Sequence, residues 1–242
     1  QKAIHAEHDS LLKNQTWELA DLPKGMKPIT TKWVFVVKRK ADGSVERYKA
    51  RLVAKGFMQV YGINYQDVFA PVAKMATIRV LVALVTTLDW ELEQMDVVTA
   101  FLHGELEEND IYIRQPEGLV VPGQEEKVLR LKKALYGLKQ APRMWNKVLD
   151  TFLRELGFKP CITDHALYVL LENGVPVFLI AVYVDDLLLA CKDKGRMQHV
   201  KDELTARFSM KDLGLVTYYL GIQVERDRVN RTTKLHQARY IE

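Results

Sequence analysis

Cysteine is nearly missing from this chain of 242 residues, which holds only Cys161 and Cys191. Neither sits at a metal-ligand spacing and two thiols make no disulfide framework, so a stapled secreted domain is excluded and a reducing compartment fits. The six histidines form no zinc pattern either. No signal peptide, internal repeat or low-complexity linker is visible, and the chain opens on Gln1, so it is expected to be a piece of something longer. Net charge is slight, formally +4, which makes its distribution more telling than its total. Lys32, Lys38, Arg39, Lys40, Arg47, Lys49, Arg51 and Lys55 share their stretch with only Asp42 and Glu46, and Lys127 to Arg143 carries no acid at all. These two basic clusters flank an acidic stretch, Glu105 to Asp110. The pattern suits a groove that follows phosphates, and a solvated surface face accounts for it as well.

Long apolar runs are also scarce, and the most apolar one is interrupted at its centre. From Asn173 to Cys191 the only charged residues are Asp185 and Asp186. As a membrane-spanning helix this segment would pay roughly 2.5 to 3.5 kcal/mol for each aspartate. Pro176, the β-branched residues and the Asn173-Gly174 dipeptide point to strands instead. Two readings then remain. Asp185 and Asp186 are turn residues, as Asp often is, or a hairpin turn pushes two carboxylates toward a divalent cation, which needs oxygen ligands and negative charge.

A third carboxylate bears on that choice. Glu91 to Val98 alternates polar and apolar residues like a half-buried strand, and Thr99 to Gly104 follows as a turn-like segment, so Asp96 falls where a strand ends. Taken alone it reads as a helix cap. Asp96-Val97-Val98-Thr99-Ala100-Phe101-Leu102, then Ala134 to Trp145 with Tyr136-Gly137-Leu138-Lys139-Gln140, then Tyr183-Val184-Asp185-Asp186 form an ordered set that resembles the reverse transcriptase of copia-type retrotransposons. The resemblance extends through Lys32-Trp33-Val34-Phe35, Tyr48 to Phe57, Phe69-Ala70-Pro71-Val72, Met210 to Gly214 and Tyr219 to Ile222, nearly the whole chain.

That resemblance implies an α+β right-hand polymerase architecture: a palm antiparallel sheet backed by helices, a fingers subdomain and a thumb largely absent. It puts fingers at 25–70 and 106–135, palm at 71–105 and 136–224, an N-terminal segment at 1–24 and the start of a thumb or connection at 225–242. It implies RNA-directed DNA synthesis with two Mg²⁺, or Mn²⁺, about 3.5 to 4 Å apart. The implied ligand set is Asp96, Asp185 and Asp186 with the Val97 backbone, Asp186 acting also as electrostatic support. Phe101, five residues after Asp96, matches an aromatic gate against the ribose 2′-hydroxyl; the bland reading is a core phenylalanine. Tyr136 and Gly137 match the lining of the nucleotide pocket, Gly137 by permitting close backbone approach. Lys49 and Arg51 would reach the triphosphate, a solvated strand edge being the alternative, and Lys211 would protonate pyrophosphate. Tyr183, Gln140, Leu220 and Gly221 match primer and template contacts.

The partners implied are an RNA template, a DNA primer or duplex, and deoxynucleotides, together with upstream integrase and downstream ribonuclease H regions of one polyprotein and no membrane. The implied compartment is intracellular, a cytoplasmic virus-like particle or the nucleus. An RNA polymerase with similar aspartates is disfavoured by Phe101, and the alternative from another class is an inactive remnant that binds RNA or DNA.

Periodicity fills in the scaffold. Strands are expected at Lys32 to Lys40 and Val45 to Val53 around the turn Ala41-Asp42-Gly43-Ser44, and also at Ala166 to Leu171, Pro176 to Val184, Leu187 to Cys191 and Tyr218 to Val224. Helices are expected at Thr77 to Thr87, Pro142 to Leu156 and Met197 to Phe208, the second with Trp145, Val148, Leu149, Phe152, Leu153 and Leu156 as core. A hairpin is expected within Glu225 to Glu242.

Overall fold

The protein is described by a computed structural model over residues 1–39, 44–106 and 111–241. Of the expected turn Ala41-Asp42-Gly43-Ser44, only Ser44 lies among the described residues. In chain order the first elements are α1 (Lys2–Lys13), β1 (Trp17–Ala20), β2 (Thr31–Arg39), β3 (Val45–Ala54), α2 (Met75–Leu88), β4 (Glu91–Val97), β5 (Tyr112–Arg114), β6 (Val128–Leu131) and α3 (Ala141–Glu155). There follow β7 (Lys159–Pro160), β8 (Leu167–Glu172), β9 (Val175–Tyr183), β10 (Asp186–Cys191), α4 (Lys194–Arg207), β11 (Met210–Leu215), β12 (Tyr218–Tyr219), β13 (Ile222–Asp227), β14 (Thr232–His236) and α5 (Ala238–Ile241). Short 3-10 turns occupy Gly56–Met58 and Ala100–His103. The chain divides into two compact units, Gln1–Ala70 with Phe101–Val148, and Pro71–Ala100 with Leu149–Glu242.

The first unit holds a three-stranded sheet in the order β1-β6-β5 and a separate β2-β3 hairpin. Along β3 the even-numbered Ala50, Leu52 and Ala54 are buried, so Lys49 and Arg51 share the opposite face. Leu52 and Ala54 join Leu11 of α1, Ile113 of β5, Leu129 and Leu131 of β6, and Leu135 in one apolar core. Among the described residues the outer half of the hairpin has no such cover, and Phe35 and Tyr48 are largely exposed there. Behind β3, Gly56 and Gly137 meet almost backbone to backbone. A Cβ on Gly137 would lie 2.1 Å from the Ala54 carbonyl oxygen, and one on Gly56 would lie 2.0 Å from the Gly137 oxygen. The Ala54 N–H donates to the Tyr136 oxygen at 2.7 Å, which fixes the crossing.

The second unit is built on a six-stranded antiparallel sheet in the order β11-β4-β10-β9-β8-β7. The interrupted apolar run is its centre, as β9 and β10, and among the described residues no helix is long and apolar enough to cross a membrane. On one face Leu92, Leu188 and Ala190 pack with Ile78, Leu81, Val82 and Val85 of α2 and with Val216, Tyr219 and Val224. Residues of the other parity, among them Met95, Leu187 and Leu189, are fully buried too. Each such side chain contributes about 1.5 to 3 kcal/mol. The ends of α2 are satisfied by side chains from elsewhere. Asp164 accepts from the Lys74 N–H at 2.9 Å and from the Thr77 hydroxyl at 2.5 Å, while Arg226 donates to the Val85 oxygen at 3.1 Å.

Most expected elements are found within a few residues of their expected ends, and one needs correcting. Tyr218 to Val224 is not a single strand but the end of one hairpin: β12 and β13 pair across Leu220-Gly221, both with positive φ (48° and 82°). Two left-handed residues in a row make the tight two-residue turn that joins antiparallel strands, and a leucine in the first place hid it. Asn173-Gly174, by contrast, forms its two-residue turn as the dipeptide foretells. The α1 helix and the strands β1, β5, β6, β7 and β11 are additional to the sequence expectation.

Candidate active site

Strand register brings the three aspartates of the sequence reading together. Tyr183 and Asp186 pair as the closing residues of the β9-β10 hairpin, which leaves Val184 and Asp185 as its turn. Val184 has φ 58°, a left-handed value that a β-branched residue rarely adopts and that costs of order 1–3 kcal/mol. The turn is tied down from the neighbouring strand, because the Val97 N–H donates to the Asp185 carbonyl oxygen at 2.8 Å. On β10 and β4, Asp186 lies directly opposite Asp96, and on β11 Lys211 lies opposite Asp96 from the other side. Directly opposed residues of antiparallel strands point to the same face, so Asp186, Asp96 and Lys211 form one row across three strands.

The row is electrostatically uneven. Lys211 Nζ is 3.9 Å from Asp96 Oδ2, a long contact between partly exposed groups. Asp186 accepts a hydrogen bond from Gln94 Nε2 at 3.1 Å, one step down the same face. Burial pushes the Asp186 carboxyl above the usual range, and the charges of Asp185 and Asp96 add to that push against the Gln94 bond. Tyr219 lies close enough for the Asp186 charge to be felt: burial first, then Asp186 and Tyr183, raise its phenol. It is 3 % exposed, and its hydroxyl has no hydrogen-bond partner among the described residues.

A divalent cation fits this donor set by its chemistry. The carboxylates are oxygen ligands, one of them raised by burial and, to a lesser degree, by its neighbours' charges, and a cation would favour its ionised form. Among the described residues no three His, Cys, Asp or Glu side chains converge tightly enough to hold an ion between them as they stand.

Apart from Lys211, which lies on β11 of the second unit, the nucleotide-side residues of the sequence reading fall in the first unit, where they form a group of their own. Phe101, on the 3-10 turn, meets Tyr136 edge to face with ring centroids 4.7 Å apart and planes at 62°. The Arg51 guanidinium lies over the Tyr136 ring, 4.8 Å from its centroid, and Lys49 is two residues away on the same strand face. The close approach of Gly137 is to the chain's own Ala54 and Gly56. Gln140 is 4 % exposed, with its oxygen bonded by Gln59 Nε2 at 2.9 Å and its own Nε2 donating to the Asn64 oxygen at 2.8 Å. Its amide is therefore used inside the chain, as a prop for the loop at Asn64. In the second unit, Leu220 and Gly221 form the β12-β13 turn and Tyr183 is partly exposed beside the Asp185 turn.

Two groups at the site and one on the opposite face of the sheet escaped the sequence reading. Gln94 and Tyr219 carry no local signal that separates them from ordinary strand residues. Lys201 does: it lies on the apolar stripe Met197, Val200, Leu204 of α4, an odd place for a lysine, and bridges Glu93 of β4 and Asp212 of β11.

Residues 14–242 match the family described as reverse transcriptase (RNA-dependent DNA polymerase). The chain belongs to that family. This reverse transcriptase domain is 45 % identical over 241 residues to the retrovirus-related Pol polyprotein from transposon TNT 1-94 of Nicotiana tabacum, covering 100 % of this chain and 18 % of that protein. It is 40 % identical over 240 residues to the retrovirus-related Pol polyprotein from transposon RE2 of Arabidopsis thaliana, covering 99 % of this chain and 16 % of that protein. The copia-type resemblance is thereby borne out, and the domain spans less than a fifth of the length of these relatives. Among solved structures, a foamy viral protease-reverse transcriptase in complex with double-stranded DNA aligns with 92 % of this chain and 33 % of that one, at 16 % identity and a TM-score of 0.42.

Proposed function

We propose that this domain is the RNA-directed DNA polymerase module of a retrotransposon polyprotein. The observation that carries the proposal is the register that sets Asp186 opposite Asp96 with Asp185 in the adjoining turn, in a chain of the reverse transcriptase family. Asp96 and Asp185, with Asp186 and the Val97 backbone beside them, would hold two Mg²⁺. When bound, these ions lower the pKa of the primer 3′-hydroxyl and neutralise the triphosphate.

The chain's own residues do the rest. Gln94 holds the Asp186 carboxylate in place. The Val97 N–H fixes the turn that presents Asp185. As the primer hydroxyl releases its proton to water and its oxygen bonds to the α-phosphorus, the bond from that phosphorus to the oxygen bridging to the β-phosphate breaks, and Lys211 gives the leaving pyrophosphate a proton. Lys49 and Arg51 draw in the triphosphate by charge. Phe101, as a gate, rejects the ribose 2′-hydroxyl, and Tyr136 with Gly137 shapes the pocket behind it. Leu220-Gly221 and Tyr183 support the primer end, with Gln140 acting through the Asn64 loop.

In this reading residues 25–70 and 106–135 are fingers, 71–105 and 136–224 palm, and 225–242 the approach to a thumb. The substrates are an RNA or DNA template, a DNA primer and deoxynucleotides, with integrase and ribonuclease H regions elsewhere in the polyprotein. The scarcity of cysteine suits the matching compartment, an intracellular virus-like particle or the nucleus.

Primer extension on oligo-dT annealed to poly(rA) with Mg²⁺ tests the proposal. Extension by the chain and none by Asp185→Asn supports it. Extension by both refutes the site, and salt-sensitive binding without extension, even with the downstream region restored, refutes the activity.

A further inference from the structure

We propose that Tyr136 is a positioning residue for sugar discrimination, setting the angle and depth at which the Phe101 ring is presented. The inference rests on the reading of Phe101 as the gate against a ribose 2′-hydroxyl. A gate of this kind works by steric exclusion of a single oxygen atom, so a ring free to turn or retreat would leak. Phe101 is a partly buried residue at the edge of the apolar core of the first unit, against which it packs. It sits in a single 3-10 turn, an element with poor hydrogen-bond geometry that gives little rigidity by itself. Its neighbours Ala100 and Leu102 are buried and anchor the backbone, but its own ring is only half-buried.

Beside that core contact, the ring meets the Tyr136 ring edge to face at 4.7 Å and 62°, an arrangement favoured by the ring quadrupoles. Tyr136 is itself held from two directions. Its carbonyl oxygen accepts from the Ala54 N–H at 2.7 Å, and the next residue, Gly137, is pressed so tightly against the Ala54 and Gly56 backbone that no side chain could stand there. The Arg51 guanidinium covers its ring at 4.8 Å. Rigidity therefore passes from the β3 backbone through the glycine crossing to Tyr136 and from its ring to Phe101. Selection of the sugar is a property of the pair of rings, and the tyrosine hydroxyl has no part in it.

The test is the ratio of kcat/KM for dTTP to that for UTP in single-nucleotide incorporation. The same ratio is read without chemistry from the Kd of the two nucleotides on a chain-terminated primer-template. Four variants are compared with the unmodified chain: Phe101→Ala, Tyr136→Phe, Tyr136→Leu and the double Phe101→Ala/Tyr136→Leu. If Tyr136→Leu does not fold, Tyr136→Met replaces it. Removing an edge-to-face pair is expected to lower the ratio about 3- to 10-fold in Tyr136→Leu. Tyr136→Phe, which keeps the ring, is expected to retain the ratio to within about twofold, and the double variant to match Phe101→Ala. An unchanged ratio in Tyr136→Leu beside a collapsed one in Phe101→Ala overturns the positioning role and leaves the gate standing. A double variant well below Phe101→Ala also overturns it, because Tyr136 would then read the sugar directly. If Phe101→Ala itself leaves the ratio unchanged, the gate reading fails first and the inference with it.

Discussion

Replacing Lys201 by methionine is expected to destabilise the protein far more than loss of a surface ion pair would. Lys201 is 5 % exposed on α4, and its ammonium bonds Glu93 of β4 and, at 2.5 Å, Asp212 of β11. Removing one partner of a buried ion pair costs about 3–5 kcal/mol, because the charges left behind are stranded. Here the stranded groups differ: the Glu93 side chain is 20 % exposed, while that of Asp212 is 47 % exposed and water takes up much of its share. About 3 kcal/mol is therefore expected at neutral pH, or a fall of about 6 to 12 °C in Tm for a chain of this size.

The pH dependence follows from both ends of the triad. Burial lowers the Lys201 pKa, but the bonds from Asp212 and Glu93 outweigh it and hold the group above its ordinary value. Its contribution is thus complete below the unfolded lysine value, about 10.4, and is lost as pH rises through the higher folded value. For Asp212, burial raises the carboxyl, while Lys201 and the Gly214 N–H together bring it below the ordinary value. That contribution is complete above about 3.9 and is lost as pH falls through the depressed folded value. Urea unfolding of the two proteins should show a constant gap between roughly pH 4 and 10 that narrows outside this window. A gap under about 1 kcal/mol at pH 7 would refute the reasoning, as would Lys201→Met/Glu93→Gln/Asp212→Asn proving no more stable than Lys201→Met alone.

Three further outcomes are expected. Gly137→Ala, with φ 90° and a Cβ 2.1 Å from the Ala54 oxygen, should lose about 3 kcal/mol or more in chemical denaturation. Gly174→Ala, at φ 79° with open space around it, should lose only about 1 to 2 kcal/mol, so equal losses would contradict the backbone crossing. Asp186 has a raised folded pKa, so its ionisation opposes folding above the unfolded value, and Asp186→Asn should raise Tm at pH 7 without metal. Added Mg²⁺ should then stabilise the unmodified chain more than the variant; calorimetry showing equal gains would argue against the carboxylate cluster as the ion site. Gln59→Leu leaves the buried Gln140 oxygen and the Lys139 N–H without their amide partner and should cost about 1–3 kcal/mol, with Gln59→Leu/Gln140→Leu well short of additive in urea titrations.

Where side chains of adjacent residues alternate or recur on one face, the sequence was readable. The strands β4, β9 and β10 and the helices α2, α3 and α4 declare themselves by apolar spacing, and Asp185 and Asp186 stand out because nothing else in their run is charged. Leu220 concealed a turn because a left-handed leucine is set by its surroundings and not by its own preference. The strand β11 escaped as well: its alternation is broken by a bulge between Asp212 and Gly214, where the Asp212 carboxylate accepts the Gly214 N–H at 2.8 Å. Contacts between distant residues, such as Gln94 with Asp186 or Arg51 with Tyr136, depend on strand pairing and packing, which no local pattern encodes.

The row formed by Asp186, Asp96 and Lys211 gives β4 a parity, and parity is unforgiving toward changes in length. Deleting or inserting one codon between Trp90 and Asp96 would preserve the reading frame and every amino-acid class in the strand. It would nonetheless turn the strand over against its neighbours, bringing an apolar residue such as Met95 or Val97 into the row and sending Asp96 to the side where Glu93 meets Lys201. If the row serves the polymerase activity proposed above, such a single-codon slip would abolish it as surely as a stop codon, while leaving a nearly full-length protein to be translated. Length changes of that kind are survivable only where no strand register is at stake, as in the turns from Gln115 to Lys127 between β5 and β6.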